Sequence, residues 1–497
     1  MAGQDPSVPI PIQRCALSRK PNQRARPSAR PATKALGRPT GGAAIPADLD
    51  VTIERIGADG DGIGHAAVTD RTDHAAIADP AADATDPARD PDGQTVYVPF
   101  TLPGDTVRAT GLRRHGQGLL GSAETWLTRG PDRADPPCPH FGACGGCALQ
   151  HWQMGAYLAW KTELLRHALL RAGFADPNLA PIVPCAPASR RRMDLAARRT
   201  RDGVVLGLHR VRSADVVDLI DCSVLHPGLT ALLDPLRALL HGLGTPWRHA
   251  SVSANLLDSG PDLLLRIEAE PSPADRATIA GFARRHDLPR IAWAAGTEGT
   301  EPVSLLRAPT TVLSGVTVTP PPGAFLQATE SGAQAIIAAV LAALPERMPN
   351  RARIAECHAG CGTLTFALVE RARVQAWEGD APSFAALRQG ANNAGLAGRV
   401  QADQRDLARQ PVQAKELAGF SAVVLDPPHN GAIEQMGPLA ASDVPVVIYV
   451  SCNPVALARD AAVLREGGYR LDIATPIDQF LWSPRLESVC VFRRDRR

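Results

Sequence analysis

The stretch Ile448-Tyr-Val-Ser-Cys-Asn-Pro454 decides how this chain is read. Val446 to Val450 is apolar and β-branched, the composition of a buried strand. Pro445 stands just before it, where a strand still tolerates a proline. The run stops at a polar turn, and the helix-like Val455-Ala-Leu-Ala-Arg-Asp460 follows. A cysteine just past the C-terminal end of an α/β strand lies where such folds place their chemistry. A lone cysteine there is more often a small buried residue. Other strand ends in the same half of the chain turn the reading towards a nucleophile at Cys452.

Ala333–Leu344 has helical spacing and leads into Ile354-Ala-Glu-Cys-His-Ala-Gly360-Cys-Gly362-Thr. A glycine turn after a strand, opening a helix expected at Leu364–Glu370, lets a cofactor approach the backbone. The next strand ends at Glu378, about twenty residues on, where an acid meets ribose hydroxyls. Asp406, after a further strand, is the candidate for an adenine end. The apolar Ala422-Val-Val-Leu425 then ends at Asp426-Pro-Pro-His429. A G-x-G turn, Glu, Asp and Asp-Pro-Pro on four successive strand ends form a series suited to S-adenosylmethionine-dependent methyl transfer. A dehydrogenase shares the first two and has no use for the last. Finally, Glu487 stands at the mouth of a last strand, between an apolar loop and the core, where burial would raise its pKa and suit it to a general base.

The bulk numbers frame this half. A chain of 497 residues holds about three domains, and 44% hydrophobic content supplies real cores. No apolar run approaches the roughly 20 residues of a membrane span, and no apolar leader is seen, so a cytoplasmic protein is expected. Net charge is only +2, yet residues 1–47 carry Arg14, Arg19, Lys20, Arg24, Arg26, Arg30, Lys34 and Arg38 against Asp5 alone. They read as a disordered basic tail with affinity for phosphates. Residues 48–127 show short strands broken by glycine and proline: Val51–Ile56, Val96–Phe100, Thr106–Thr110 and Gly121–Leu127. Gly57–Gly64 reads as a turn and 66–92 as a disordered insertion. A small β-barrel is the expectation. Its Gly-Asp-Gly-Ile-Gly64 and Val98-Pro-Phe-Thr-Leu-Pro-Gly-Asp105 phrases resemble the OB-like, RNA-binding TRAM domain.

Residues 128–322 read as a central α+β domain, with a helix over 156–173. It opens on Cys138-Pro-His-Phe-Gly-Ala-Cys144-Gly-Gly-Cys147. Three cysteines at such spacing, in a chain with ten cysteines and no export signal, suggest a soft metal site. The fourth ligand must come from elsewhere, with Cys222 the first choice and Cys185 the second. Spacing leaves iron–sulfur and tetrahedral zinc both open.

With these residues assembled, the chain from about residue 48 onward resembles the RNA 5-methyluridine methyltransferase family. The Ser451-Cys-Asn-Pro454 phrase and Cys138…Cys144-Gly-Gly-Cys147 carry the likeness. The resemblance implies an α/β fold class: an N-terminal TRAM barrel, a central α+β iron–sulfur domain, and a Rossmann-like methyltransferase domain over 323–497. It implies a [4Fe-4S] cluster on Cys138, Cys144, Cys147 and Cys222. It places S-adenosylmethionine against Gln327, His358, Gly360, Gly362, Thr363, Glu378, Asp406 and Asp426. Gln327 belongs to Phe325-Leu-Gln327, whose Phe325 would stack on the target base. The family's Phe and Asn of the glycine motif are here His358 and Thr363, its Arg after Asp-Pro-Pro is His429, and its His before the catalytic Glu is missing. Barrel plus cluster resembles the 23S rRNA enzymes, so the expected partner is ribosomal RNA with a single-stranded or flipped-out uridine, met by a monomer without membrane contact. Uracil C5 is too weak a nucleophile to take a sulfonium methyl unaided. Cys452 is therefore expected to add at C6 as a thiolate of lowered pKa, and Glu487 to remove the C5 proton. An amino-methyltransferase, a cytosine-C5 enzyme and an inactive RNA binder are the rival readings.

Overall fold

A computed structural model describes residues 45–66, 94–296, 299–345 and 348–494. Most of the basic tail and of the insertion expected at 66–92 lies outside the described residues. The chain folds as two compact units, Met1–Arg133 and Ala134–Arg497.

The first unit is a closed five-stranded barrel. Asp48–Ile56, Gly62–Ala66, Thr95–Val98, Gly118–Thr128 and Thr106–His115 follow one another around it, and the last pairs back onto the first. Alternate residues Val51, Ile53, Val96, Val98, Val107 and Ala109 fill its interior. The glycine phrase differs from its expected reading. Only 57–61 turns, and Gly62–Ala66 is itself a strand pressed onto Asp48–Ile56. A β-carbon at Gly64 would stand 2.0 Å from the Thr52 carbonyl oxygen, which is why glycine is needed there. Below it, the buried Asp105 carboxylate accepts the Leu102 and Gly130 amides at 2.7 and 2.8 Å and pairs with Arg133.

The second unit holds two large sheets. In one, seven strands run in the order Thr300–Leu305, Arg290–Ala295, Gly260–Ile267, His249–Leu257, Arg192–Arg199, Val204–His209, Val216–Asp218. Helices Leu233–Gly242 and Pro273–Arg285 cover it through Leu236, Leu240, Ile279 and Phe282. In the other sheet we number seven strands in chain order: β1 Arg353–Cys357, β2 Arg373–Glu378, β3 Val400–Gln404, β4 Ala422–Leu425, β5 Val446–Ser451, β6 Arg470–Asp478 and β7 Glu487–Arg493. Their spatial order is β3-β2-β1-β4-β5-β7-β6, with the short Val183–Pro184 added at the β6 edge. The first five are parallel and β7 runs antiparallel between β5 and β6.

Both faces of this sheet are covered, so its central strands are apolar at most positions. Ile354, Val424, Ile448, Val450 and Val489 point to one core with helix Glu330–Ala343. Val423, Leu425, Val447, Tyr449 and Phe492 point to the other, against Leu165 and Leu169 of helix Met154–Arg171 and Leu457 and Leu464 of helix Pro454–Glu466. The helix expected at Leu364–Glu370 is only the single turn Thr365–Leu368. Among the described residues no helix is long and apolar enough to cross a membrane.

Candidate active site

The C-terminal ends of β4 and β5 and the start of β7 meet at one edge. Asp426 follows β4, Cys452 follows β5 and Glu487 opens β7. The β5–β7 ladder pairs Ser451 with Ser488, which makes Cys452 and Glu487 next in register. The antiparallel seventh strand thus brings a carboxylate from the end of the chain to the edge where the parallel strands present their ends.

Two amides, the half-buried Gln327 and the buried Gln479, join the carboxylates. Gln327 Nε2 donates to Asp426 Oδ2 at 2.9 Å, and Gln327 Oε1 accepts from Gln479 Nε2 at 2.9 Å. The same Gln479 nitrogen donates to Glu487 Oε2 at 2.5 Å, while its Oε1 accepts the Ala328 amide at 3.2 Å. Every polar atom of Gln479 is used, so its orientation is fixed. Glu487 is 4% exposed, and its Oε1 has no hydrogen-bond partner among the described residues. Burial, with the Asp426 charge adding to it, holds the Glu487 carboxyl well above the usual range. Burial raises Asp426 to about 7, against the pull of Gln327. Two carboxyls that raise one another do not ionise together easily.

Cys452 lies between them, and here the structure departs from the sequence reading. In place of a lowered pKa, burial pushes the thiol up to about 12, the Glu487 and Asp426 charges add to it, and Arg485 opposes them. The reason is first the desolvation of the sulfur and then the company of two carboxylates. His429 Nδ1 stands 3.7 Å from Sγ.

The cofactor candidates gather along β1 and β2. His358, at φ 63°, begins the loop after β1, and Gly360 and Gly362 also take positive φ. A β-carbon at Gly362 would meet the Phe366 ring at 2.5 Å, whereas one at Gly360 would meet nothing within 4 Å, so the backbone there faces open space. Glu378 spans the loop: Oε2 accepts the Gly360 amide at 2.6 Å and Oε1 the Asp380 amide at 2.7 Å. Burial lowers His358 to about 4, so it is neutral. Thr363 is half-buried beside it, and Asp406 is exposed, capping the Ala408 amide at 3.1 Å and pairing with Arg409 at 3.4 Å. Under the loop, the Glu356 side chain of β1 is buried, and burial raises it to about 8.

Phe325 is 67% exposed, with the Arg192 guanidinium 4.4 Å above its ring. The four cysteines Cys138, Cys144, Cys147 and Cys222 line one cavity of about 340 Å³, together with Phe141, Arg190, Phe480 and Arg485. Cys185 lies elsewhere, 3.4 Å from the hydroxyls of Thr329 and Ser331. Burial pushes Cys147 up to about 12 and raises Cys144 and Cys222 as well, and the neighbouring thiols add to it. Burial thus favours the protonated form of these three thiols unless a cationic centre compensates, and four cysteines on one cavity are the donor set a thiolate-ligated cluster requires. Among the described residues no three His, Cys, Asp or Glu side chains meet closely enough to hold a single metal ion.

Sequence reasoning missed what ties these parts together. The Ala148 and Leu149 amides, just after Cys147, donate to the Trp482 carbonyl at 2.9 and 3.1 Å. Lys161, fully buried, pairs with Asp478 and donates to the Phe480 and Arg485 carbonyls at 3.0 and 2.7 Å. The loop that precedes Glu487 is therefore clamped by helix Met154–Arg171. A lysine within the helix's apolar stripe was the signal available.

A doubly wound sheet with a glycine loop after β1, an acid after β2 and an Asp-Pro-Pro after β4 defines an S-adenosylmethionine-dependent methyltransferase fold. Comparison with known proteins narrows the class. An uncharacterized RNA methyltransferase of Brucella suis is 39% identical over 450 residues, covering 90% of this chain and 98% of that protein. One from Caulobacter vibrioides is 37% identical over 452 residues, 90% of this chain and 100% of its own. The 23S rRNA (uracil(1939)-C(5))-methyltransferase RlmD of Chromohalobacter salexigens is 35% identical over 419 residues, 82% and 86%. Among solved structures, the Pyrococcus abyssi tRNA (uracil-54, C5)-methyltransferase, in complex with S-adenosyl-L-homocysteine, superposes with a TM-score of 0.63 at 19% identity, over 89% of this chain and 100% of that one. No family model matches the chain. The chain belongs to the RNA 5-methyluridine methyltransferase family, whose enzymes depend on S-adenosylmethionine.

Proposed function

We propose that this protein methylates C5 of a uridine in 23S ribosomal RNA through a covalent adduct between Cys452 and uracil C6. The observation that carries the reading is the pair at the strand edge: Cys452 and Glu487 next in register, with Glu487 Oε1 unpartnered. A nucleophile and a base so arranged can work on adjacent carbons of one flat ring. RlmD, a relative along most of both chains, acts by name on a uracil C5 of 23S rRNA.

The target uridine must be unpaired or flipped out to reach this edge, and the exposed Phe325 offers a face for stacking. Cys452, as thiolate, adds to C6. S-adenosylmethionine, when bound, supplies the electrophilic methyl that C5 of the adduct takes up. Glu487 Oε1 then removes the C5 proton; the C–H pair becomes the C5–C6 double bond, and the C6–S pair returns to Cys452 as thiolate. Asp426 and Gln327 position the cofactor from the β4 end. The glycine loop fits it, since Gly360 leaves open space above the backbone and Glu378 holds the loop in shape. His358, Gly362, Thr363 and Asp406 complete the set that would hold it. His358 and Thr363 do so with other chemistry than the family's Phe and Asn.

We assign a [4Fe-4S] cluster to Cys138, Cys144, Cys147 and Cys222, which share one cavity. When bound it supplies a cross-link between the 138–147 segment and Cys222, and the residues after Cys147 hold the 480–485 loop. In this account 1–47 is a basic tail and 48–127 an RNA-binding TRAM-like barrel with its insertion at 66–92. Residues 128–322 form the cluster-bearing domain and 323–497 the methyltransferase domain, and the protein acts as a cytoplasmic monomer. The test is to incubate the protein with S-adenosylmethionine and either 23S rRNA or tRNA transcripts, then digest and analyse nucleosides by mass spectrometry. 5-Methyluridine from the rRNA alone is the expected result. Methylation of tRNA alone would overturn the rRNA assignment, and a product other than 5-methyluridine the reaction.

A further inference from the structure

His429 stands beside the nucleophile with no role in the reaction as written above. Its Nδ1 is 3.7 Å from Cys452 Sγ, within reach of the long hydrogen bonds that sulfur accepts. The residue after the cysteine fixes the ring. Asn453 Nδ2 donates to the His429 carbonyl at 2.8 Å, and the same nitrogen lies 3.5 Å from ring Nε2. Asn453 Oδ1 is committed too: it accepts the Val455 amide at 3.0 Å and caps helix Pro454–Glu466. Flipping this amide would lose both bonds, so the group facing Nε2 is a donor.

A neutral imidazole carries one N–H and one lone pair. His429 is held neutral, because partial burial and then the Arg485 charge lower its pKa. A donor opposite Nε2 places the lone pair there and the hydrogen on Nδ1, directed at Sγ. The other charged or titratable groups facing that sulfur are Glu487, Asp426 and Arg485. Two of the three oppose a thiolate, so an N–H donor tips a balance that is otherwise unfavourable.

Resting on the assignment of Cys452 as nucleophile, we propose that His429 is a further catalytic residue, whose Nδ1–H donates to the Cys452 sulfur and stabilises the thiolate. The hydrogen stays on Nδ1 throughout; the thiol proton leaves to solvent before C6 addition. The bond is strong to the thiolate, weak to the neutral thioether of the adduct, and strong again as the C6–S pair returns to sulfur. It therefore favours both formation of the nucleophile and its expulsion. Asp426-Pro-Pro-His429 thus serves two partners, its acid the cofactor side and its imidazole the nucleophile.

The test is the pH dependence of Cys452 alkylation by iodoacetamide in the full chain without RNA, followed on the Cys452 peptide by mass spectrometry. In His429→Ala the midpoint should move to higher pH and the rate at pH 8 should fall roughly tenfold, the size of one hydrogen bond to a charged group. His429→Gln, which keeps a neutral N–H donor, should recover most of that loss. Methylation by His429→Ala should lose kcat while KM for RNA holds. An unchanged alkylation profile in a His429→Ala protein of wild-type melting temperature would overturn the proposal, as would His429→Gln behaving like His429→Ala. Alkylation reads the thiol whatever RNA chemistry follows. Failure of the uridine reaction in wild-type protein would therefore strike the C5 mechanism and leave the alkylation result to decide this inference.

Discussion

Replacing Gln479 with methionine keeps the side-chain length and removes every polar contact it makes. Glu487 Oε2 loses its 2.5 Å donor, Gln327 Oε1 loses its 2.9 Å donor, and the Ala328 amide loses its acceptor. A hydrogen bond to an ionised group contributes ~1.5–3 kcal/mol. Gln479 pulls the Glu487 carboxyl down against burial, so its loss pushes that carboxyl further up. The ionised fraction at a given pH should fall roughly ten- to hundredfold, since ~1.4 kcal/mol is a factor of ten. Addition of Cys452 needs no ionised Glu487, whereas release of the adduct does. Gln479→Met should therefore accumulate a covalent protein–RNA adduct on ordinary uridine RNA, seen on denaturing gels. The acid limb of its pH–rate profile should move to higher pH. No adduct together with an unmoved acid limb would refute this reasoning, whatever happened to the overall rate.

Other consequences are smaller in scope. Lys161→Met leaves the buried Asp478 without its cationic partner, with only the Tyr157 hydroxyl donating to it, and frees two loop carbonyls, and should cost ~3–5 kcal/mol by urea denaturation; Lys161→Met with Asp478→Asn should recover part of it. Burial lowers Lys161 to about 8 and raises Asp478, so both ends of this pair are strained towards neutrality, and burial rather than attraction dominates each. Glu356 is protonated in the fold up to about 8 and ionises near 4.5 when unfolded. The native state thus binds the extra proton across that window, and stability falls as pH rises through it. Glu356→Gln should flatten the decline of urea midpoints between pH 5 and 8, and an unchanged slope would count against the assignment. Cys222→Ser, purified anaerobically, should lose bound iron and visible absorbance relative to the parent protein, while Cys185→Ser should keep both.

The strands that carry the site were legible because each is an apolar run ended by an unmistakable turn: Val446–Ser451 before Cys452, Ala422–Leu425 before Asp426. Period and punctuation do not reveal pairing. That β7 returns antiparallel beside β5, and so brings Glu487 to Cys452, depends on contacts across the sheet that no local window contains. Gly62 and Gly64 read as a turn because glycine commonly marks one, yet Gly64 is small so that two backbones can touch and Gly62 so that the Thr101 hydroxyl fits against it. Gln479 left no trace at all. An uncharged amide between Asp478 and Phe480 matches no pattern, and its importance comes from Glu487 on the next strand and from Gln327 and Ala328, over a hundred residues upstream. The raised pKa of Cys452 was hidden for a related reason: its burial, and the two carboxylates from other strand ends that add to it, appear only once the strands are assembled.

The most direct test of the account is a suicide substrate. The protein is mixed with S-adenosylmethionine and 23S rRNA transcribed with 5-fluorouridine, then run on a denaturing gel. Fluorine at C5 cannot be abstracted as a proton, so Glu487 has nothing to remove and the adduct cannot resolve. The account predicts a retarded protein–RNA band that persists in Glu487→Gln and disappears in Cys452→Ala. No retarded band from wild-type protein shown to bind both S-adenosylmethionine and the RNA would contradict it.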